Sequence, residues 1–235
     1  LMEITLDIIV NGIFSLIAVI VFIIIGLKIM LKYKESKDKV HFLIGLAWIG
    51  ISEPWWPSSI GFILALFFGT SLSVPVYILI NCGILPLFLS FWLIALMIIM
   101  QLNKRIIILV SYIVIALVLE IVMIYYLIID SSMVGVLVTP VDISFGPVAV
   151  VFLLYNLSVF MISGILLTIN TIKLDDPVDK LRGKFLLVAF LLFMIGASLE
   201  MLINHPLNRV ILLLSSIMFY IGFMMPKSIK EKFLK

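Results

Sequence analysis

An all-α, polytopic membrane protein of seven transmembrane helices is the fold class this sequence predicts, and three observations predict it. Apolar residues make up 64% of the 235 residues and charged residues only 12%, about half the charged share of a soluble domain. The apolar residues fall into runs that reach the roughly 20 residues a helix needs to cross a hydrocarbon core of about 30 Å. Between the runs, basic residues gather in alternate connections, the asymmetry by which membrane proteins set their orientation.

Taken in order, Leu1 to Asp7 carries Glu3 and Asp7 and no basic residue, so it lacks the positive region of a secretory signal. Ile8 to Leu31 is the first span and runs into Lys28, Lys32, Lys34, Lys37 and Lys39, a basic stop-transfer cluster. His41 to Thr70 is the second, broken near its middle by Ser52-Glu53-Pro54-Trp55-Trp56-Pro57. Pro54 cannot donate to the carbonyl of Gly50, nor Pro57 to that of Glu53. Carbonyls freed at membrane depth must meet side chains, water or neighbouring helices, so this backbone is expected inside the bundle or on a cavity. Two readings follow: a proline kink filled by tryptophans, or the floor of a binding site made of Glu53, Trp55 and Trp56.

Val76 to Leu102 forms the third span, with Asn81, Cys82 and Pro86 in its first half, and ends at Lys104 and Arg105. Ile106 to Ile129 is the fourth and contains Glu120; Asp130 to Gly146 is a long connection; Gly146-Pro147 opens a fifth span reaching Asn170. Asp176 before Pro177, with Asp179 in the first turn, reads as a helix cap, a proline at the first helical position and a dipole-matched acid. The sixth span crosses from Phe185 to Ile203, turns at Asn204-His205-Pro206, and returns as Leu207 to Met225 before Pro226 and a basic tail. The whole of residues 1–235 is one domain.

Seven spans with the N-terminus outside and the C-terminus cytoplasmic place 15 of the 16 basic residues on the cytoplasmic side, leaving Arg209 at the outer end. A re-entrant hairpin at His41 to Thr70 would turn Lys104 and Arg105 outward, so the charge bias selects one broken span. Ile49-Gly50-Ile51-Ser52-Glu53 resembles Ile195-Gly196-Ala197-Ser198-Leu199-Glu200 with one residue inserted, which suits two three-helix halves joined by the fourth span.

Within the spans the polar residues are Glu53, Asn81, Glu120, Asn156, Glu200 and Arg209, with Ser215, Ser216 and Tyr220 below the arginine. Most lie past the midplane toward the outer face. Each acid at the centre of a spanning helix costs about 2.5 to 3.5 kcal/mol on insertion scales, so such residues are paired or functional. Gly196, Glu200 and Asn204 share one helical face, as do Arg209, Ser216 and Tyr220. The candidate ligand-binding residues are therefore Glu53, Trp55, Trp56, Asn81, Glu120, Asn156, Glu200, Arg209 and Tyr220; the competing reading is pairing for structure alone, Glu200 with Arg209 and Glu120 as an interhelical bond. Tyr112, Tyr125, Tyr126 and the phenylalanines are expected mostly at lipid or the interface.

No HExxH, intramembrane serine–histidine arrangement, aspartate pair or glycine-rich phosphate loop is present. Catalysis, a cofactor and a metal centre are accordingly not expected, and the short inside connections leave no room for a fused kinase or cyclase domain. His41 and His205 sit at segment ends and are not placed to share a haem or zinc ion. Basic residues on the inside face explain topology and need no nucleic acid.

Phe219-Tyr220-Ile221-Gly222-Phe223-Met224-Met225-Pro226, followed by Lys227 to Phe233, resembles the exit helix of the seven-helix membrane sensor modules that precede histidine kinases in prokaryotes. Lys180-Leu181-Arg182-Gly183-Lys184 is similar to the entrance of the sixth helix in the same family. The likeness covers all seven spans in layout and about twenty residues in pattern. It implies a sensor that meets a cytoplasmic signalling partner at its exit helix, although no output domain follows here. The alternatives are a small-solute or ion carrier gated at the broken span, and a non-catalytic subunit of a larger membrane complex.

Overall fold

The computed structural model describes residues 4–202 and 205–233. Its first helix, α1 (Leu6–Leu31), starts where Thr5 accepts a hydrogen bond from the Ile8 N–H and Asp7 sits in the first turn, both favourable to the exposed amides of a helix N-terminus. After a single turn, α2 (Tyr33–Ser36), the chain passes Lys37 with φ of 56° and starts α3 (Lys39–Ile51), capped by Asp38. A 3-10 turn at Glu53–Trp55 separates α3 from α4 (Trp56–Phe68). The next apolar segment is also divided, into α5 (Val74–Cys82) and α6 (Leu85–Ile99), where the sequence reads as one continuous span. Gly83 and Pro86 flank that interruption, and a proline there withdraws a backbone donor as Pro54 and Pro57 do.

Then follow α7 (Arg105–Ile129), a β-hairpin, α8 (Pro147–Ile172), α9 (Pro177–Leu202), α10 (Pro206–Met224) and the short α11 (Lys227–Phe233). The hairpin pairs β1 (Gly135–Thr139) antiparallel to β2 (Asp142–Phe145), so the fold is nearly all-α rather than all-α. The long connection from Asp130 to Gly146 thus carries the strands that depart from the all-α expectation. The start of α9 follows its sequence signature, with the Asp176 carboxylate accepting from the Val178 N–H at 2.7 Å. Asn204 and Ile203 lie outside the described residues.

Six helices are long and apolar enough to cross a membrane, as in a multi-pass membrane protein, and the two thirteen-residue halves α3 and α4 come in addition. Neighbour contacts close a ring: α1 packs on α3, α4 and α10, α3 on α6, α6 on α7 and α8, α8 on α9, and α9 on α10. On the outer faces Ile13, Ile17, Ile20 and Ile24 of α1 and Ile107, Val114, Val118 and Ile121 of α7 stay exposed, as expected of helices solvated by lipid. Among the described residues α7 buries only Tyr112, Ala116 and Met123, so it stands at the edge of the ring. Helices α1 and α3 approach closely at paired glycines. A Cβ at Gly45 would lie 2.5 Å from the carbonyl oxygen of Gly26, the kind of contact that small residues give membrane helices.

The core is aromatic. Trp48 is stacked between Phe22 and Phe219, each within 10° of parallel, and its indole N–H donates to Ser216. Trp92 donates to Ser163 and lies against Phe160, Phe190 and Phe219. Phe22, Trp48, Trp92, Phe190 and Phe219 are all buried, and Tyr112 is as well. For Tyr112 and these buried phenylalanines the expectation of a place at lipid or the interface is corrected, because stacked rings and satisfied polar tips make a dense interior. Tyr125 is exposed, as expected.

Candidate functional site

The two interrupted helices lie side by side, and each supplies what the other lacks. The carbonyl of Pro54 accepts from the Asn81 side-chain amide at 2.6 Å, and the Glu53 carboxylate accepts from the backbone N–H of Ile84 at 2.7 Å. Glu53 is wholly buried, and its carboxyl serves the second break from within the first. Other freed groups are met locally: Ser52 donates to the Ile49 carbonyl, Ser59 to that of Trp55, and the Trp56 N–H reaches the Glu53 carbonyl. Backbone polar groups at membrane depth are thereby satisfied inside the protein.

Facing these breaks, Arg209 on α10 is 1% exposed. Its guanidinium donates to Glu200 through Nε at 3.2 Å and Nη2 at 3.0 Å, and through Nη1 to the backbone carbonyl and side-chain oxygen of Asn11. Three helices, α1, α9 and α10, are tied by one side chain. Trp55 and Asn208 stand close enough to Glu200 to favour its charged form. A buried charge is tolerable only with this degree of pairing.

Between the breaks, the arginine and the hairpin lies a cavity of about 100 Å³, lined by Trp55, Asn81, Asn156, Glu200 and Arg209 and also by Ser58, Tyr77 and Asp142. Space on this scale holds several waters or one small ligand. Its apolar wall includes Leu85, Leu89, Ile143, Phe145, Phe160 and Phe193. Much of the polar lining is already committed. Asn156 accepts from the Tyr112 hydroxyl at 2.8 Å and donates to the Phe152 carbonyl, and the Tyr77 hydroxyl donates to the Val141 carbonyl while meeting Ser58 at 2.8 Å. Among the described residues Asp142 is held by the Ile143 backbone N–H and longer-range charge; burial pushes its carboxyl up to about 6, opposed by Arg209 and reinforced by Glu200 and Asp7.

Of the nine residues proposed from sequence, Trp55, Asn81, Asn156, Glu200 and Arg209 line the cavity. Four do not. Glu53 lies behind it at the second break; Trp56 donates to Ser52 and leans on Phe88. Glu120 is half-buried on the edge helix α7, with no side-chain hydrogen bond among the described residues. Tyr220 is far down α10, with the Lys28 ammonium 5.6 Å from its ring centre. Sequence reasoning missed Asn11, Ser58, Tyr77 and Asp142. The first three are ordinary polar residues of apolar runs, and Asp142 sits in a connection whose folding into a hairpin carries no strong local signal.

No group of three or more histidines, cysteines or acids able to hold a metal is found among the described residues. Cys82 is buried and donates to the Asn81 side-chain oxygen at 3.1 Å. Comparison with protein families, curated proteins and solved structures finds no match to this chain. The site must therefore be read from its own chemistry.

Proposed function

We propose that this chain is a receptor-like or sensory module of a prokaryotic cell membrane, with seven spans, its N-terminus outside and its C-terminus cytoplasmic. It binds a small ligand in the cavity at its outer end and meets a cytoplasmic partner through the base of α9 and through α11. One observation carries the reading: Trp55, Asn81, Asn156, Glu200 and Arg209, from five separate elements, line a single cavity. Counting α3, the 3-10 turn and α4 as one interrupted span, beside the six candidate spans of which α5–α6 is also interrupted, makes seven. Residues 39–68 would extend about 45 Å as a helix at 1.5 Å per residue, ample for a kinked crossing.

The aromatic cluster around Trp48 and Trp92 shares Phe160 and Phe193 with the cavity wall, which suits a site read from one side. Arg209 and Glu200 tie α10 to α9 near the cavity. At the opposite end Phe233 of α11 rests on Phe185 of α9, so a shift of α9 against α10 has a path to the basic terminal helix. This is the place where the likeness to kinase-linked sensor modules puts the exit helix. A second reading, a small-solute carrier, is favoured by the adjacent interruptions in α3–α4 and α5–α6, since carriers build midplane sites from discontinuous helices.

Cysteine labelling tests the reading. Ala197 lines the cavity, Ser228 is exposed on α11 and Cys82 is buried. In intact cells a membrane-impermeant maleimide is expected to label Ala197→Cys, whereas Ser228→Cys should react only after permeabilisation. The reverse pattern would sink the orientation, and uptake of solute by proteoliposomes would favour the carrier.

A further inference from the structure

The cavity has an unequal charge balance, and that balance narrows the chemistry of its ligand. Glu200 is matched by the two-nitrogen contact with Arg209 at 3.0 and 3.2 Å, so this pair is neutral as a unit. The guanidinium is 1% exposed and its remaining nitrogen is turned to Asn11, away from any anion a ligand would bring. Asp142 also lines the cavity; among the described residues it forms no salt bridge, its donor is the Ile143 N–H, and Arg209 acts on it only through charge. Summing Arg209, Glu200 and Asp142 leaves one negative charge, and Asp7 of α1 adds to it from a distance. The same cavity is lined by the rings of Trp55, Phe160 and Phe193. Trp55 and Phe193 meet edge to face at 6.4 Å, and Phe160 stands 5.2 Å from Phe193. Ring faces attract cations, and they cover apolar groups equally well.

We propose that the cavity binds a small organic cation, a protonated amine with a short apolar body, using Asp142 as the counter-ion and the rings of Trp55, Phe160 and Phe193 to enclose the body. This rests on the ligand-binding reading above. An anion would meet Asp142 with Arg209, the cation among the cavity's lining residues, already engaged by Glu200 and Asn11, and a neutral polar ligand would find Asn81, Asn156 and Tyr77 already hydrogen-bonded. Burial raises the Asp142 carboxyl, Arg209 on α10 and the Ile143 N–H oppose that, and Glu200 on α9 and Asp7 on α1 add to it; the neutral Tyr77 hydroxyl of α5 lines the same cavity. Protonating Asp142 removes the counter-ion, so affinity for an amine falls as pH drops below about 6.

The test uses the full chain in nanodiscs and three probes of matched shape: isopentylamine, isopentanol and isovalerate. Thermal unfolding and titration calorimetry at pH 7.5 are expected to show binding of the amine, at least tenfold tighter than either other probe. Asp142→Asn should remove that preference, Asp142→Glu should retain part of it, and the wild-type chain should lose it at pH 5. Equal binding of the alcohol or the acid overturns the cation assignment while leaving a ligand site in place. If none binds at millimolar concentration the proposal fails, and if Ala197→Cys is also closed to external maleimide the ligand-binding reading fails with it.

Discussion

Arg209 is the side chain on which most of the cavity geometry depends. Removing it strands Glu200 in a buried site, and breaking a buried pair from one side costs about 3 to 5 kcal/mol. Arg209→Leu is therefore expected to lower the thermal midpoint sharply in detergent or nanodiscs, and Arg209→Lys to recover only part, because a lysine cannot span Glu200 and the Asn11 carbonyl with one planar fork. Arg209→Leu with Glu200→Leu should be milder than Arg209→Leu alone. Asp142 gives a pH signature of its own. Its carboxyl is raised from 3.8 to about 6, so between those values the folded state holds more protons than the unfolded one. Stability then decreases as pH rises from about 4 to 6 and levels off above. Asp142→Asn should flatten that part of a stability–pH curve measured by chemical unfolding; an unchanged slope would assign it to another group. Glu120→Gln, by contrast, is expected to leave both stability and binding close to wild type.

At the scale of elements, the two interrupted helices act as a unit. Asn81→Ala leaves the Pro54 carbonyl without its donor, a loss of about 1 to 3 kcal/mol for a buried unsatisfied group. Glu53→Gln keeps an oxygen for the Ile84 N–H and is expected to be nearly neutral, whereas Glu53→Ala strands that amide and should cost as much as Asn81→Ala. Equilibrium unfolding of the three variants separates a role in backbone satisfaction from one in ligand contact, since Glu53 does not touch the cavity. Gly45→Val forces α1 and α3 apart, because its Cβ meets backbone atoms of Gly26 and Met30 rather than a movable side chain. A loss of about 1 to 3 kcal/mol is expected from such overpacking. The resemblance between residues 49–53 and 195–200 falls on unlike backbone, a 3-10 break in one case and the continuous α9 in the other.

For the molecule as a whole, the orientation proposed from charge predicts that neutralising Lys104 and Arg105 together will not invert the topology, because the five lysines from Lys28 to Lys39 remain. External labelling of Ser228→Cys in that variant would contradict it. The closed aromatic interior also predicts no ion conductance in planar bilayers. Breaking that layer with Trp48→Ala leaves a buried void and is expected to destabilise by about 3 to 5 kcal/mol, read as a lower thermal midpoint.

Composition and the spacing of apolar runs were enough to reveal the helices, because lipid forces backbone groups to pair within a segment and so ties each span to its own local sequence. The break at Glu53 to Pro57 was legible for the same reason: proline acts on its own backbone. Asp176, Pro177 and Asp179 likewise marked the start of α9 through local capping. What only the tertiary structure decided was which polar residues meet. Glu53 turned to a second break that Gly83 and Pro86 only hinted at, Tyr220 fell far from Arg209, and Asp142 reached the cavity from a hairpin outside the spans. Those outcomes depend on helix rotation, on the order of neighbours in the ring and on contacts between residues as distant as Asn11 and Arg209, and none of these is encoded in the periodicity of a single segment.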